Sequence, residues 1–218
     1  MNARNLPARL ALGAGALALV ALAGGCASDR VPVDLEEGAF GDPRTVDLGD
    51  DPWRERRRMD LEQLDASLTR AAGGLSWMVN NQSGFVVFAD TLGVPDFVNR
   101  SAEDLTVNLL FTKFLEDAAR STCRRLVFGN GDAEAAARAA VFRMVDVGST
   151  EVPLETLRAQ VAELLLRFHG RRVAVDDPSL GPWLGLRHRV QESEGGTAQR
   201  GWEVLCVALI THPDFYTY

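Results

Sequence analysis

Beyond residue 52 the apolar residues recur at steps of three and four, the spacing of one face of an α-helix. Leu61, Leu64, Leu68 and Ala71 trace such a face and predict a first helix from Met59 to Ala72, stopped by Gly73-Gly74. Residues 75–92 break the rhythm. Leu75-Ser76-Trp77-Met78 and Phe85-Val86-Val87-Phe88 flank the polar stretch Asn80-Asn81-Gln82-Ser83-Gly84, which suits a β-hairpin or two helical turns. The helical reading, ending at Gly93-Val94-Pro95, is preferred. Ser101, with Asp104 three residues on, resembles a capping box and predicts the start of the clearest helix. Leu105, Leu109, Leu110, Phe111, Phe114, Leu115, Ala118 and Ala119 then form a broad apolar stripe towards Cys123, as expected of a central core helix.

Gly129-Asn130-Gly131 punctuates the chain, and Asp132 is placed to cap an alanine-rich helix running to about Val147. A further helix is predicted from near Thr150, with Pro153 in its first turn, to His169-Gly170, where glycine fits the left-handed C′ position. Asp177-Pro178 and Gly181-Pro182 predict successive helix entrances leading to Val190. After the polar loop from Glu192, a last helix from Ala198 to Thr211 sets Trp202, Leu205, Cys206 and Leu209 on one face. His212-Pro213 stops it. The fold class expected is mostly α: a single helical domain, residues 53–218, of six or seven helices.

The N-terminal pattern differs. Arg4 and Arg9 precede fourteen uncharged residues from Leu10 to Ala23, and Asp29 is the first charge after Cys26. A basic start, a short apolar run and small residues before a cleavage point are the anatomy of an export signal. Leu22-Ala23-Gly24-Gly25-Cys26 resembles the lipobox of bacterial lipoproteins, with Ala23 where leucine is usual. That resemblance implies cleavage before Cys26, lipidation of its thiol and acylation of the new amine. Residues 1–25 are then the signal peptide, and residues 26–52, rich in Gly, Pro and Asp, a flexible tether. A retained spanning helix needs about 20 apolar residues, more than this run holds; ordinary secretion with a plain Cys26 thiol is the other alternative. Ala27, rather than Asp, after the cysteine implies the periplasmic face of the outer membrane.

Charge narrows the partners. The signal holds two of the 23 basic residues and none of the 30 acidic ones, so the formal charge of −7 becomes −9 on its removal. Such a surface repels nucleic acid and anionic headgroups, which leaves the lipid anchor at Cys26 as the membrane contact. Trp53 and the run Arg54, Arg56, Arg57, Arg58 read as a solvated helix entrance, with a docking patch as the alternative. Export leaves Cys123 and Cys206 in an oxidising compartment. Both fall on core faces, and either a disulfide pinning the last helix to the central one or two buried thiols would suit them.

Candidate chemistry is sparse. His169, His188 and His212 lie too far apart in sequence to suggest a metal cluster, and no cofactor or haem-attachment motif is coded. Ser83-Gly84 lacks the flanks of a nucleophile elbow. Gly129-Asn130-Gly131-Asp132 could cradle phosphate, but Asp132 would repel the anion, so it reads as a turn. Asp176 and Asp177 read as caps before Pro178 rather than an acid/base pair. Phe215-Tyr216-Thr217-Tyr218 is expected to pack on the core, or to serve as a docking tail.

Arg57-Arg58-Met59-Asp60-Leu61-Glu62-Gln63-Leu64-Asp65-Ala66-Ser67-Leu68 resembles the arginine-led opening helix of planctomycete-type cytochrome c-associated proteins. Cys206-Val207-Ala208-Leu209-Ile210 with Asp214-Phe215 is similar to their closing segment. The resemblance implies an exported protein near a redox or envelope assembly and supplies no catalytic residue. Three functions follow as expectations: a lipid-anchored, non-enzymatic interaction or accessory module with an envelope protein partner; a periplasmic hydrolase assembled from dispersed Asp, Glu and His; and a non-covalent haem or electron-transfer partner.

Overall fold

The computed structural model describes residues 57–93 and 105–218. The signal, Cys26, the tether, Trp53, Arg54, Arg56 and the Ser101–Asp104 cap all lie outside the described residues. The described chain is mostly helical: α1 (Leu61–Ala71), α2 (Gly84–Val87), α3 (Leu109–Phe128), α4 (Asp132–Val141), α5 (Leu154–His169), α6 (Gly181–Gln191), α7 (Ala198–Thr211) and α8 (Pro213–Tyr216). Among these residues no helix is long and apolar enough to cross a membrane.

Local chemistry sets the boundaries. The Asp60 carboxylate accepts from the Gln63 N–H at 2.8 Å while the Gln63 side chain accepts from the Asp60 N–H at 3.3 Å, a reciprocal box that opens α1. Both readings of residues 75–92 have a share in the outcome. Asn80 and Asn81 adopt left-handed φ of 50° and 62°, which closes a small antiparallel hairpin, β1 (Met78–Val79) on β2 (Gln82–Ser83). The turn of α2 follows directly, and a 3₁₀ turn at Asp90–Leu92 ends the segment.

Four expected boundaries need correction, the first being the start of α5, which begins at Leu154 rather than near Thr150, with Pro153 as its N-cap instead of in its first turn. α3 begins at Leu109, because Asn108 accepts from the Phe111 N–H at 2.8 Å and so caps the helix; Leu105 precedes it in extended chain. Leu109 and Leu110 belong to the apolar stripe by sequence yet are 87% and 45% exposed. Asp132 is the first residue of α4 rather than its cap, which is Gly131. That helix stops at Val141, short of Val147, because buried Gln160 takes the Val141 carbonyl and the Met144 N–H, both at 3.0 Å. This frees Phe142 to pack against Trp202.

The helix at the centre is α7, not α3. It carries buried side chains around most of its circumference, as a helix enclosed by others must. α3 covers one side, with Phe111, Leu115, Ala119, Cys123 and Leu126 all buried. α6 covers another, and α5 and α8 also touch it. Cys123 and Cys206 meet at 2.01 Å between their sulfurs, with Cα atoms 5.8 Å apart, so the expected pair sits at disulfide distance in the α3–α7 seam.

The arginine run also departs from expectation. Arg58 is 1% exposed: its guanidinium lies 4.8 Å above the Phe111 ring and donates to the Leu92 carbonyl at 3.0 Å. An apolar surface and a carbonyl replace water around it. Arg58 also forms a bridge to Thr217, flanked by Met59 N–H to Tyr216 O at 2.7 Å and Tyr218 N–H to Arg57 O at 3.1 Å. This strap seats the C-terminal aromatics. Phe215 is buried beside Phe168, and Tyr216 meets the edge of Phe111, while Tyr218 stays 67% exposed.

Candidate functional site

Two helix terminations create the densest group of potential donors. α5 ends at His169 because Gly170 takes a left-handed φ of 64°, which few other residues tolerate. α7 ends at Thr211 because His212 is extended and Pro213 has no N–H to continue the ladder. His212 then caps α8: its Nδ1 accepts from the Asp214 N–H at 3.2 Å. Both terminations lie at the same corner of the molecule.

There the His169 and His212 rings stack with centroids 4.9 Å apart, and Trp183 of α6 meets both edge-on at 5.6 and 5.7 Å. Asp214 Oδ2 is 3.6 Å from His212 Nδ1. One donor atom from each of His169, His212 and Asp214 can be chosen so that all lie within 4.8 Å of one another. Sequence spacing gives no hint of such a group, but the 42 intervening residues between His169 and His212 are folded away and the fold brings these donors together.

The hydrogen bonds fix the imidazole chemistry. His169 Nε2 faces the Leu209 carbonyl at 2.9 Å, and a carbonyl can only accept. Nε2 therefore carries the proton and Nδ1 keeps the lone pair. Burial pushes the His169 pKa below its ordinary 6.5, against the Leu209 carbonyl, which favours the charged form; His212 and Arg171 assist the lowering and Asp214 opposes it. In that tautomer the ring can act as a ligand or a base through Nδ1.

The remaining candidates separate. Cys123 and Cys206 are paired inside the core. His188 is exposed on α6, apart from the other two histidines. Asp177 accepts from the Ser179 N–H at 2.8 Å, a cap that holds its carboxyl below the usual range. The Gly129–Asp132 turn is closed by side chains from α4: Arg138 donates to the Val127 carbonyl at 2.8 Å and the Gly129 carbonyl at 3.0 Å. Glu134, paired with Arg125 at 2.8 Å, sits over it and would repel a phosphate. Its carboxyl pKa is lowered chiefly by that arginine hydrogen bond.

A groove of about 600 Å³ lies elsewhere, between α1 and α2, and the histidines do not line it. Its walls are mainly apolar, with Phe85, Val86 and Ala89 facing Leu61 and Ala66. Asp65 is the acidic group in it that has a neighbour to work with, accepting from the Ser83 hydroxyl at 2.7 Å. The chain matches no family model, no curated protein and no solved structure.

Proposed function

We propose that this protein is a lipid-anchored component of the cell envelope, held through Cys26 with its helical domain on the periplasmic face of the outer membrane. The domain acts as a non-enzymatic interaction or accessory module for an envelope protein partner. The observation that carries the reading is the Cys123–Cys206 pair at disulfide distance in the core. Such cross-links persist in oxidising compartments and are rare where glutathione keeps thiols reduced. The lipobox-like Leu22–Cys26 stretch supports the same address independently.

Labelling with a clickable fatty acid tests the anchor. The wild-type chain should incorporate label and fractionate with membranes, and Cys26→Ala should lose both properties. Stoichiometric capture of one envelope protein from detergent-solubilised membranes is the expected result for an accessory module. A wild-type protein that stays soluble and unlabelled would overturn the reading. The hydrolase alternative draws support from the convergence of His169, His212 and Asp214, dispersed in sequence as that reading requires. Their separation from the groove between α1 and α2 counts against it.

A further inference from the structure

We propose that His169, His212 and Asp214 bind a divalent transition-metal ion of the zinc class at the corner where α5, α7 and α8 meet. Two imidazoles and one carboxylate are the donor set that borderline ions favour, and three protein ligands leave a fourth position for water or for a group from a partner. The inference does not depend on the lipid anchor, and it adds a ligand to a domain otherwise read only as a module.

The outer shell is already arranged. Metal-binding histidines donate their second ring N–H to a carbonyl or carboxylate, which fixes the tautomer and raises ligand basicity. His169 does this to the Leu209 carbonyl at 2.9 Å, leaving Nδ1 as the donor atom. Between His212 Nδ1 and Asp214 Oδ2 the distance is 3.6 Å. Two ligands of a tetrahedral ion with bonds of about 2.1 Å stand roughly 3.4 Å apart, so that pair is close to its bound spacing. The donor atoms all lie within 4.8 Å of one another, so the widest pair has to close by at most about 1.4 Å. His212 must also yield the 3.2 Å contact with the Asp214 N–H, a weak bond at that length. Trp183 walls one side of the pair.

The full-length protein, solubilised in detergent and stripped with a chelator, is titrated with Zn²⁺ and then Co²⁺. One equivalent should bind, and Co²⁺ should develop the intense visible bands of a four-coordinate site. His169→Gln should weaken binding by at least tenfold and Asp214→Asn by a similar factor, whereas His188→Gln should leave it unchanged. Co²⁺ should also quench the fluorescence of Trp183, and Trp183→Phe should remove that quench without changing the stoichiometry. Because His212 caps α8, His212→Gln is read only after circular dichroism shows it folded; the quench in the unaltered protein is decisive in any case. No bound equivalent, or an equal loss in His188→Gln, overturns the proposal.

Discussion

The two sides of α7 are built on opposite principles. Towards α3 the seam is apolar and closed by a cysteine pair, with Leu115, Ala119, Cys123 and Leu126 all buried. Towards α6 it encloses a charge: Arg187 is 4% exposed, its guanidinium 4.5 Å above the Trp202 ring. Arg187 Nε and Nη2 and Trp202 Nε1 are buried, and none has a hydrogen-bond partner among the described residues. Burial correspondingly pushes the Arg187 pKa down. The first side gains stability from apolar area and cross-linking; the second accepts a desolvation penalty that stacking offsets only in part.

The largest effect belongs to the apolar side. The cysteines are 83 residues apart, and in the chain-entropy model opening a loop of that length costs up to roughly 4–5 kcal/mol. Cys123→Ser/Cys206→Ser, or reductant, should therefore lower the urea midpoint sharply, and no change would refute a cross-link. Next comes Gly201, where a Cβ would stand 2.9 Å from the Arg187 carbonyl oxygen. Gly201→Ala should force α6 and α7 apart and destabilise by about 1–3 kcal/mol. Arg187→Met should do the reverse of an ordinary core lesion. It replaces an unbonded guanidinium by an apolar chain of similar length, and stability should stay level or rise by about 1–2 kcal/mol. A large loss in that variant would show that the charge is held by something more than stacking.

The smallest effect is at His169, where the helix ends meet. Its folded pKa lies below the 6.5 of the free side chain, so between those two values the unfolded chain binds more protons than the folded one. Stability should rise with pH through that window and level off above about 6.5. His169→Gln should flatten the slope, measured as urea midpoints across acidic to neutral pH.

What could be read in the sequence was local. The bounds of α7 follow from Thr197, whose hydroxyl accepts from the Arg200 N–H, and from Pro213; the end of α5 follows from Gly170, whereas its start lies at Leu154 rather than near Thr150. What could not be read depends on distant partners. Leu109 and Leu110 look like core because periodicity records which face a residue is on, not whether another helix covers that face. Arg58 looks solvated because only the fold supplies Phe111 and the Leu92 carbonyl. The His169–His212 contact has no spacing signal, since two helix ends far apart in the chain create it.

The strap between Arg58 and Thr217 also decides how the domain bears load. Chain entering at Arg57 lies alongside the segment at Tyr218, so tension applied ahead of Arg57 falls first on that short bridge rather than on any helix. The bridge is only a few hydrogen bonds wide and would peel one bond at a time. Below it, the sulfur link between α3 and α7 keeps those two helices from being drawn apart. A tug from outside would thus be spent at the corner carrying α8, while the interior holds its shape.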